Sequence, residues 1–180
     1  MRRYTILAIV LVAMANIYGQ RSTAHSSSAQ TSSHGWCILI PEPSKSLPKP
    51  VVRVIMNSKD AALARKLMRE QGKDLYRDAP LEGMRVRLTV SGDPAYLVGG
   101  MGPMTGGDNR WYWLVQQSRS RASILLQAAT GCVHIDNRTT GGYRDVATEW
   151  QAAGCRVVRE YRWNGKSYTL FRERREDCPQ

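Results

Sequence analysis

The sequence predicts an α+β, β-dominated fold: an antiparallel meander sheet or partly open barrel with one N-terminal helix, stapled by disulfides. Three observations support this prediction. Short stretches of alternating apolar and polar residues follow one another closely from residue 84 onward, with Gly, Asn and Asp between them. One earlier stretch has apolar residues at helical spacing. Four cysteines lie far apart, at positions 37, 132, 155 and 178.

Residues 1–19 have the layout of a secretory signal peptide. Two arginines precede an apolar run from Tyr4 to about Ala15, and small residues follow. Cleavage is expected after Ala15, with Gly19 as the other candidate. The apolar run is short for a membrane span, which needs about 20 residues. We therefore expect a periplasmic or secreted protein with no stable membrane span.

The rest of the chain divides into a linker and one domain. Residues 20–35 are rich in Ser and Thr and contain almost nothing to bury, so they are expected to form a disordered linker. Residues 36–180 have the length of a single β-rich domain.

Within the domain, "VVRVIM" at residues 51–56 is expected to form a strand. A helix should follow, capped by Asn57 or Ser58, with Leu63 and Met68 on its buried face and Gly72 ending it. Beyond the helix, Met84, Val86, Leu88 and Val90 alternate with polar residues and indicate a strand. Further strands are expected at 95–100, 111–117, 123–129, 132–137, 143–150, 155–163 and 166–174.

Asn164-Gly165 predicts the last hairpin, because both residues tolerate the positive φ of a two-residue type I′ turn. In the resulting register Trp163 opposes Lys166. One face of the hairpin is then expected to be buried: Cys155, Val157, Tyr161, Trp163, Tyr168 and Leu170. The opposite face is expected to be wet: Arg156, Glu160, Arg162, Thr169 and Glu173. Arg159 and Arg172 fall on the inward side.

The cysteines are expected to form two disulfides, as in other exported domains. Zinc is the competing account, but the four cysteines lack the close paired spacing of structural zinc sites. Cys37, Cys132, Cys155 and Cys178 allow three pairings, and the sequence does not choose among them.

The chain is basic, with 26 Lys and Arg against 15 Asp and Glu and a net charge of +11. In an exported protein such a charge favours an envelope protein or an anionic envelope polymer as partner, and not nucleic acid. The charges are spread along the chain. Most are therefore expected to form a solvated surface.

Candidate contact residues lie in the Gly-rich stretch "GGMGPMTGGDNR" and on the wet face of the hairpin. A phosphate-binding loop is not expected there, because the Gly-Lys-Ser/Thr ending is missing and a strand, "WYWLVQQ", comes next. The predicted binding residues are Met101, Met104, Arg110, Trp111, Arg156 and Arg162.

No catalytic residue, metal site or cofactor is predicted. His134 is the one histidine in the folded region, and a single strand histidine is usually structural. Asp145 and Glu149 share a strand face, but four residues separate them by roughly 13 Å, too far for a glycosidase pair.

The C-terminal half resembles small exported bacterial proteins of unknown function. The resemblance rests on "TTGGYRDVATEW" followed by "YRWNGKSY", and it covers about residues 85–171. These proteins share a Gly-Tyr-Arg-Asp strand and a Tyr-Arg-Trp/Phe-Asn/Asp-Gly-Lys-x-Tyr hairpin. The resemblance implies export and a β-rich fold, and it supplies no catalytic residues.

Three functions remain open from the sequence. The first is a non-enzymatic interaction domain of the bacterial cell envelope. The alternative is an envelope hydrolase whose active site the sequence does not assemble. The third is a structural module whose basic charge only holds it near anionic lipid or polysaccharide, and its binding should fall steeply with salt. A hydrolase should bring polar groups together around His134 or Asp145 in a concave pocket, whereas a binding domain should present a loop or a convex patch of arginines and aromatics.

Overall fold

The computed structural model describes residues 47–89, 92–106, 109–152, 154–176 and 178. The predicted signal peptide, the predicted linker and Cys37 lie outside these residues. Two α-helices precede nine strands in the described part of the chain. The helices are α1 (Lys49–Met56) and α2 (Ala62–Glu70). The strands are β1 (Leu81–Val86), β2 (Ala95–Gly100), β3 (Thr105–Gly106), β4 (Asn109–Ser118), β5 (Arg121–Thr130), β6 (Cys132–Thr140), β7 (Tyr143–Ala152), β8 (Cys155–Trp163) and β9 (Tyr168–Glu176).

The prediction of a strand at "VVRVIM" was wrong, because these residues form most of α1. The buried side chains are Val51, Val52, Ile55 and Met56, which recur at i and i+4 on one side of the helix. The β-branched residues suggested a strand, but this spacing is helical and burial of the apolar face outweighs their weaker helix propensity.

The second helix, α2, is the predicted one, although it begins later than expected. Ser58 precedes a single 3₁₀ turn (Lys59–Ala61) that leads into α2, and its side chain makes no capping hydrogen bond. Met68 is buried as predicted, whereas Leu63 is 57% exposed. Gly72 follows the helix with a φ of +65°, a left-handed conformation that glycine adopts without strain.

Strands β1–β5 form the first sheet, and all of its pairings are antiparallel. β4 is central: β2 and the two-residue β3 pair with it on one side, and β5 pairs with it on the other. β1 pairs with β2. Apolar side chains of β4 alternate between the two faces of this sheet, so both faces need a covering layer.

The two covering layers are the helices and the second sheet. Trp113 and Val115 of β4 pack with α1 and α2 in one hydrophobic core. Tyr112 and Leu114 point to the other face, where they share a second core with Val146 and neighbouring residues of strands β6–β9. The fold therefore has three layers, which are the helices, the first sheet and the second sheet, in that order in space.

Strands β6–β9 form the second sheet as an antiparallel meander in the order β6-β7-β8-β9. Both sheets are open, so the barrel alternative is not realised. The α+β, β-dominated class and the antiparallel pairing are confirmed.

The predicted register of the last hairpin was wrong. Trp163 pairs with Tyr168, so the loop has four residues and not two. The side-chain oxygen of Asn164 accepts hydrogen bonds from the backbone N–H groups of Lys166 (3.0 Å) and Ser167 (2.9 Å), which closes this longer loop. Gly165 takes the positive φ, at +97°. Leu170, expected to be buried, is 54% exposed on the edge strand β9.

The disulfide prediction is confirmed for one pair, because Cys155 is bonded to Cys178. Cys132 is also disulfide-bonded. The Cys155–Cys178 bond joins the first residue of β8 to the segment that follows β9. No helix in the described part of the chain is long and apolar enough to cross a membrane.

Shortening a buried side chain in the core between the two sheets should destabilise the protein. Leu97 of β2 is fully buried there, whereas Leu63 of α2 is 57% exposed. Leu97→Ala is expected to lower the free energy of unfolding by about 2–5 kcal/mol, because it leaves a cavity between the sheets. Leu63→Ala is the matched control and should change it by less than about 0.5 kcal/mol. Urea unfolding of the oxidised protein measures both; equal effects would contradict the layer assignment.

Candidate functional site

The outer face of the second sheet carries polar side chains because β7 and β8 alternate strictly. Val146 and Thr148 of β7 point inward and are each 1% exposed. The intervening residues Asp145, Ala147 and Glu149 therefore point to the opposite face. On β8 the predicted assignment of faces is confirmed for Val157, which is buried, and for Tyr161, which is buried in the core shared with the first sheet.

This outer face forms a concave cleft of about 930 Å³. Ala147 and Val158 contribute small side chains to its floor, and charged side chains rise around them. The charged residues that line the cleft come from all four strands of the second sheet: Asp136, Arg138, Asp145, Glu149, Arg156, Glu160, Arg162, Arg172, Arg174 and Glu176. His134 lines it as well. The cleft therefore holds five carboxylates and five guanidinium groups.

Arg156 anchors one end of the cleft. Its guanidinium contacts both carboxylate oxygens of Glu149, at 2.7 and 2.8 Å, and donates to Glu176 at 3.0 Å. Arg174 donates to Glu160 at 2.9 Å and lies 3.4 Å from Glu176. These contacts fix the orientation of three carboxylates and two arginines relative to one another.

Asp145 is paired much more loosely, although it is only 7% exposed. Its Oδ2 lies 3.7 Å from Nε of Arg162, beyond hydrogen-bond distance. Its Oδ1 is buried and accepts no hydrogen bond from any described residue. The guanidinium of Arg162 instead lies over the ring of Phe171, 3.3 Å from the ring centroid. Asp145 is thus a buried carboxylate with unused acceptor capacity.

His134 and Asp136 lie side by side along β6 at the other edge of the cleft. Burial lowers the pKa of His134, and the nearby carboxylates of Glu149 and Asp136 oppose that shift only in part. Burial by itself would raise the pKa of Asp136, but hydrogen bonds from the backbone N–H and guanidinium of Arg138 lower it. At neutral pH the cleft therefore contains a neutral imidazole next to an ionised carboxylate.

A bulge in β9 brings Arg172 into the cleft. Tyr161 pairs with Leu170 and Glu160 pairs with Arg172, so Phe171 is the extra residue. The bulge reverses the alternation beyond Phe171. Arg172, predicted to point inward, therefore lines the cleft, and Glu173, predicted on the wet face, pairs with Arg159 at 2.7 Å on the other side.

The predicted contact residues are not brought together. Arg156 and Arg162 line the cleft, whereas Met101, Met104, Arg110 and Trp111 belong to the first sheet and its loop. Met104 is 2% exposed and packs into the core beneath the helices. Met101 is exposed.

Arg110 and Trp111 are also occupied by neighbours within the first sheet. Trp111 packs against the helix-side core. Arg110 forms an ion pair with Glu82, and its guanidinium lies 4.6 Å from the ring centroid of Tyr112. The same guanidinium crosses Gly99 so closely that a Cβ there would lie 2.9 Å from Cζ. Arg110 is thus held by contacts within the first sheet.

The sequence did not predict that Arg172, Arg174 and Glu160 line the cleft. It also did not predict that Asp145 lies close to Glu160. Ala147 pairs with Glu160, so Asp145 is the diagonal neighbour of Glu160, and their Cα atoms are about 7–8 Å apart. The spacing of Asp145 and Glu149 along one strand says nothing about neighbours on the next strand. The proximity of Asp145 to Glu160 could have been predicted from the register of the β7–β8 hairpin.

Within the described part of the chain, no group of three or more His, Cys, Asp and Glu side chains is arranged to hold a metal ion. Comparisons with protein-family models, with curated proteins and with solved structures found no match to this chain.

His134 should make stability depend on pH above the range in which carboxylates titrate. Its pKa is lower in the folded chain than in the unfolded chain, so the unfolded state binds more protons between the two values. The stability that neutral His134 contributes is complete above its unfolded pKa, about 6.5, and is lost as pH falls through the folded pKa.

We expect the free energy of unfolding to fall on acidification from pH 7.5 to 5, and the fall to be smaller in His134→Gln. Urea unfolding at several pH values measures this difference. Identical pH profiles for the two proteins would show that His134 is accessible to solvent in the folded protein.

Proposed function

We propose that this protein is an exported binding domain of the bacterial cell envelope, and that it holds a protein partner in the charged cleft of the second sheet. The observation that supports this best is the cleft itself. The first sheet is covered on both faces, by helices and by the second sheet, whereas no described element packs on the outer face of the second sheet. Among the described residues, that face is left uncovered.

The balance of charge in the cleft favours a protein over a polyanion. The chain as a whole carries a net charge of +11, but the five carboxylates in the cleft match its five arginines. The positive excess therefore lies elsewhere. A uniformly anionic polymer would gain little here, whereas a protein surface with charges of both signs can complement the pattern.

Export rests on the predicted signal peptide, and the disulfide chemistry supports it. Cys155–Cys178 is a bonded pair and Cys132 is disulfide-bonded too. Such bonds persist in oxidising compartments such as the periplasm and the extracellular space. An envelope or secreted partner is the one that the protein would meet there.

The test is capture of a partner from periplasmic and envelope extracts with the oxidised protein, at low and at high salt. Ala147→Tyr fills the floor of the cleft without changing a buried core residue. Ala129→Tyr is the matched control, because Ala129 is an exposed residue at the edge of the first sheet. We expect one protein to be retained at high salt by the wild type and by Ala129→Tyr, and to be lost with Ala147→Tyr.

Two results would overturn the proposal. One is retention of the same protein by Ala147→Tyr as by the wild type. The other is retention of only lipid or anionic polymer by all three proteins, washed away by salt, since that would mean that bulk basic charge is responsible.

The second candidate function is an envelope glycoside hydrolase. The concave pocket around His134 and Asp145 that was expected of a hydrolase is present, and Asp145 and Glu160 form a diagonal pair in it. Two carboxyl groups about 6.5–9.5 Å apart suit an inverting hydrolase, with one acting as acid and the other activating water. The Cα atoms of Asp145 and Glu160 are about 7–8 Å apart. The ion pair between Glu160 and Arg174 argues against the hydrolase, because it keeps the Glu160 carboxylate engaged.

Incubation of the oxidised protein with purified envelope glycans, followed by measurement of new reducing ends, tests the hydrolase. The hydrolase predicts release that Asp145→Asn and Glu160→Gln each lower by at least a hundredfold. Absence of release by the wild type would exclude this candidate for those glycans.

A further inference from the structure

We infer that the cleft recognises an extended segment of the partner protein that crosses its strands, with a basic side chain at Asp145 and an acidic side chain at Arg172. This inference rests on the proposed function and names the chemistry of the partner. Three features of the cleft lead to it: its division of charge, the unused capacity of Asp145, and the position of Arg172.

The cleft is divided by charge, although it is neutral in total. Its β6–β7 side has three carboxylates against one arginine: Asp136, Asp145, Glu149 and Arg138. Its β8–β9 side has four arginines against two carboxylates: Arg156, Arg162, Arg172, Arg174, Glu160 and Glu176. A ligand with a cationic group on the first side and an anionic group on the second complements both.

Asp145 provides the site for the cationic group. Buried polar atoms in proteins almost always have a hydrogen-bond partner, and one without a partner calls for an explanation. Oδ1 of Asp145 has none among the described residues, and the nearest guanidinium, that of Arg162, stacks on Phe171 instead of turning to the carboxylate. Oδ2 is the oxygen that faces Arg162, at 3.7 Å, and a lysine or arginine head group of the partner would donate a charge-assisted bond to it.

Arg172 provides the site for the anionic group. Other arginines of the cleft form ion pairs with described carboxylates, as Arg156 and Arg174 do. No ion pair joins Arg172 to a carboxylate in the described part of the chain, and its side chain is exposed. Arginine binds a carboxylate through two parallel N–H groups, so Arg172 can take an Asp or Glu of the partner with a defined geometry.

The distance between the two sites fits an extended peptide. Asp145 and Arg172 are two strands apart and two residues out of register, because Arg172 pairs with Glu160 and Glu160 pairs with Ala147. Strand spacing of about 4.8 Å and a rise of about 3.3 Å per residue place their Cα atoms roughly 12 Å apart. An extended chain covers that distance in about three to four residues. Ala147 lies beside this path and leaves room for a backbone.

The experiment uses ¹⁵N-labelled oxidised protein and capped peptides in which one Lys and one Glu are separated by none, two, three or four serines. Amide chemical shifts report where each peptide binds and how tightly. We expect the tightest binding from the peptide with three intervening serines, because its Lys and Glu lie on one face of an extended chain, about 13 Å apart. Shifts should centre on residues 145–147 and 172–174. A peptide with Lys alone should shift the region of Asp145 and leave that of Arg172 unchanged.

Two variants assign the charges. Asp145→Asn should weaken the Lys–Glu peptide about tenfold, because it replaces the carboxylate by an isosteric neutral group. Arg172→Gln should weaken the Lys–Glu peptide but leave binding of the Lys-only peptide unchanged. Asp93→Asn is the control, since Asp93 is an exposed loop acid that does not line the cleft.

Several outcomes would overturn the inference. These are no binding of any peptide, equal binding at every spacing, or Asp145→Asn binding as well as the wild type. Preferential binding of a soluble cell-wall muropeptide in the same cleft would also overturn it, in favour of a glycan partner. Capture of an envelope protein by both Asp145→Asn and the wild type would contradict this inference and leave the proposed binding function intact. Peptide binding without capture of any envelope protein would contradict the proposed binding function and leave the peptide specificity of the cleft intact.

Discussion

The fold depends on a sheet whose central strand is apolar on both faces. Trp113 and Val115 of β4 face the helices, and Tyr112 and Leu114 face the second sheet. Leaving either face in water would expose large side chains, each of which gains about 1.5–3 kcal/mol from burial. One layer on each side is therefore required. One face of the second sheet packs on the first sheet. Its other face can carry charge because nothing in the described fold covers it.

The sequence contained enough information for the strands and for the class of fold, but not for the cleft. Strand positions follow from alternation, which is local. The mistake at α1 arose because Val and Ile favour strands, although Val51 and Ile55 stand at helical spacing. The cleft depends on how three hairpins are aligned, and one bulge at Phe171 decides whether Arg172 or Glu173 enters it. Such alignments are set by tertiary packing and by loop geometry, as the Asn164 loop illustrates.

The ion pairs of the cleft contribute more to geometry than to stability. Arg156, Glu149 and Glu176 are each between 24% and 33% exposed, so water screens their attraction, and such pairs are worth about 0–1 kcal/mol each. Their effect is to hold charged groups in fixed positions along the sheet. The charged residues of β9 also protect an edge strand, whose unpaired backbone would otherwise invite pairing with another chain.

The Cys155–Cys178 disulfide changes how the edge strand can come loose. An edge strand has one neighbour, and it normally frays from its free end at little cost. Here β8 and β9 are joined by the Asn164 loop at one end and by the disulfide at the other, across a sequence separation of 23 residues. The two strands thus belong to a closed covalent ring. β9 has no free end within this ring, and it can separate from β8 only by opening from its middle.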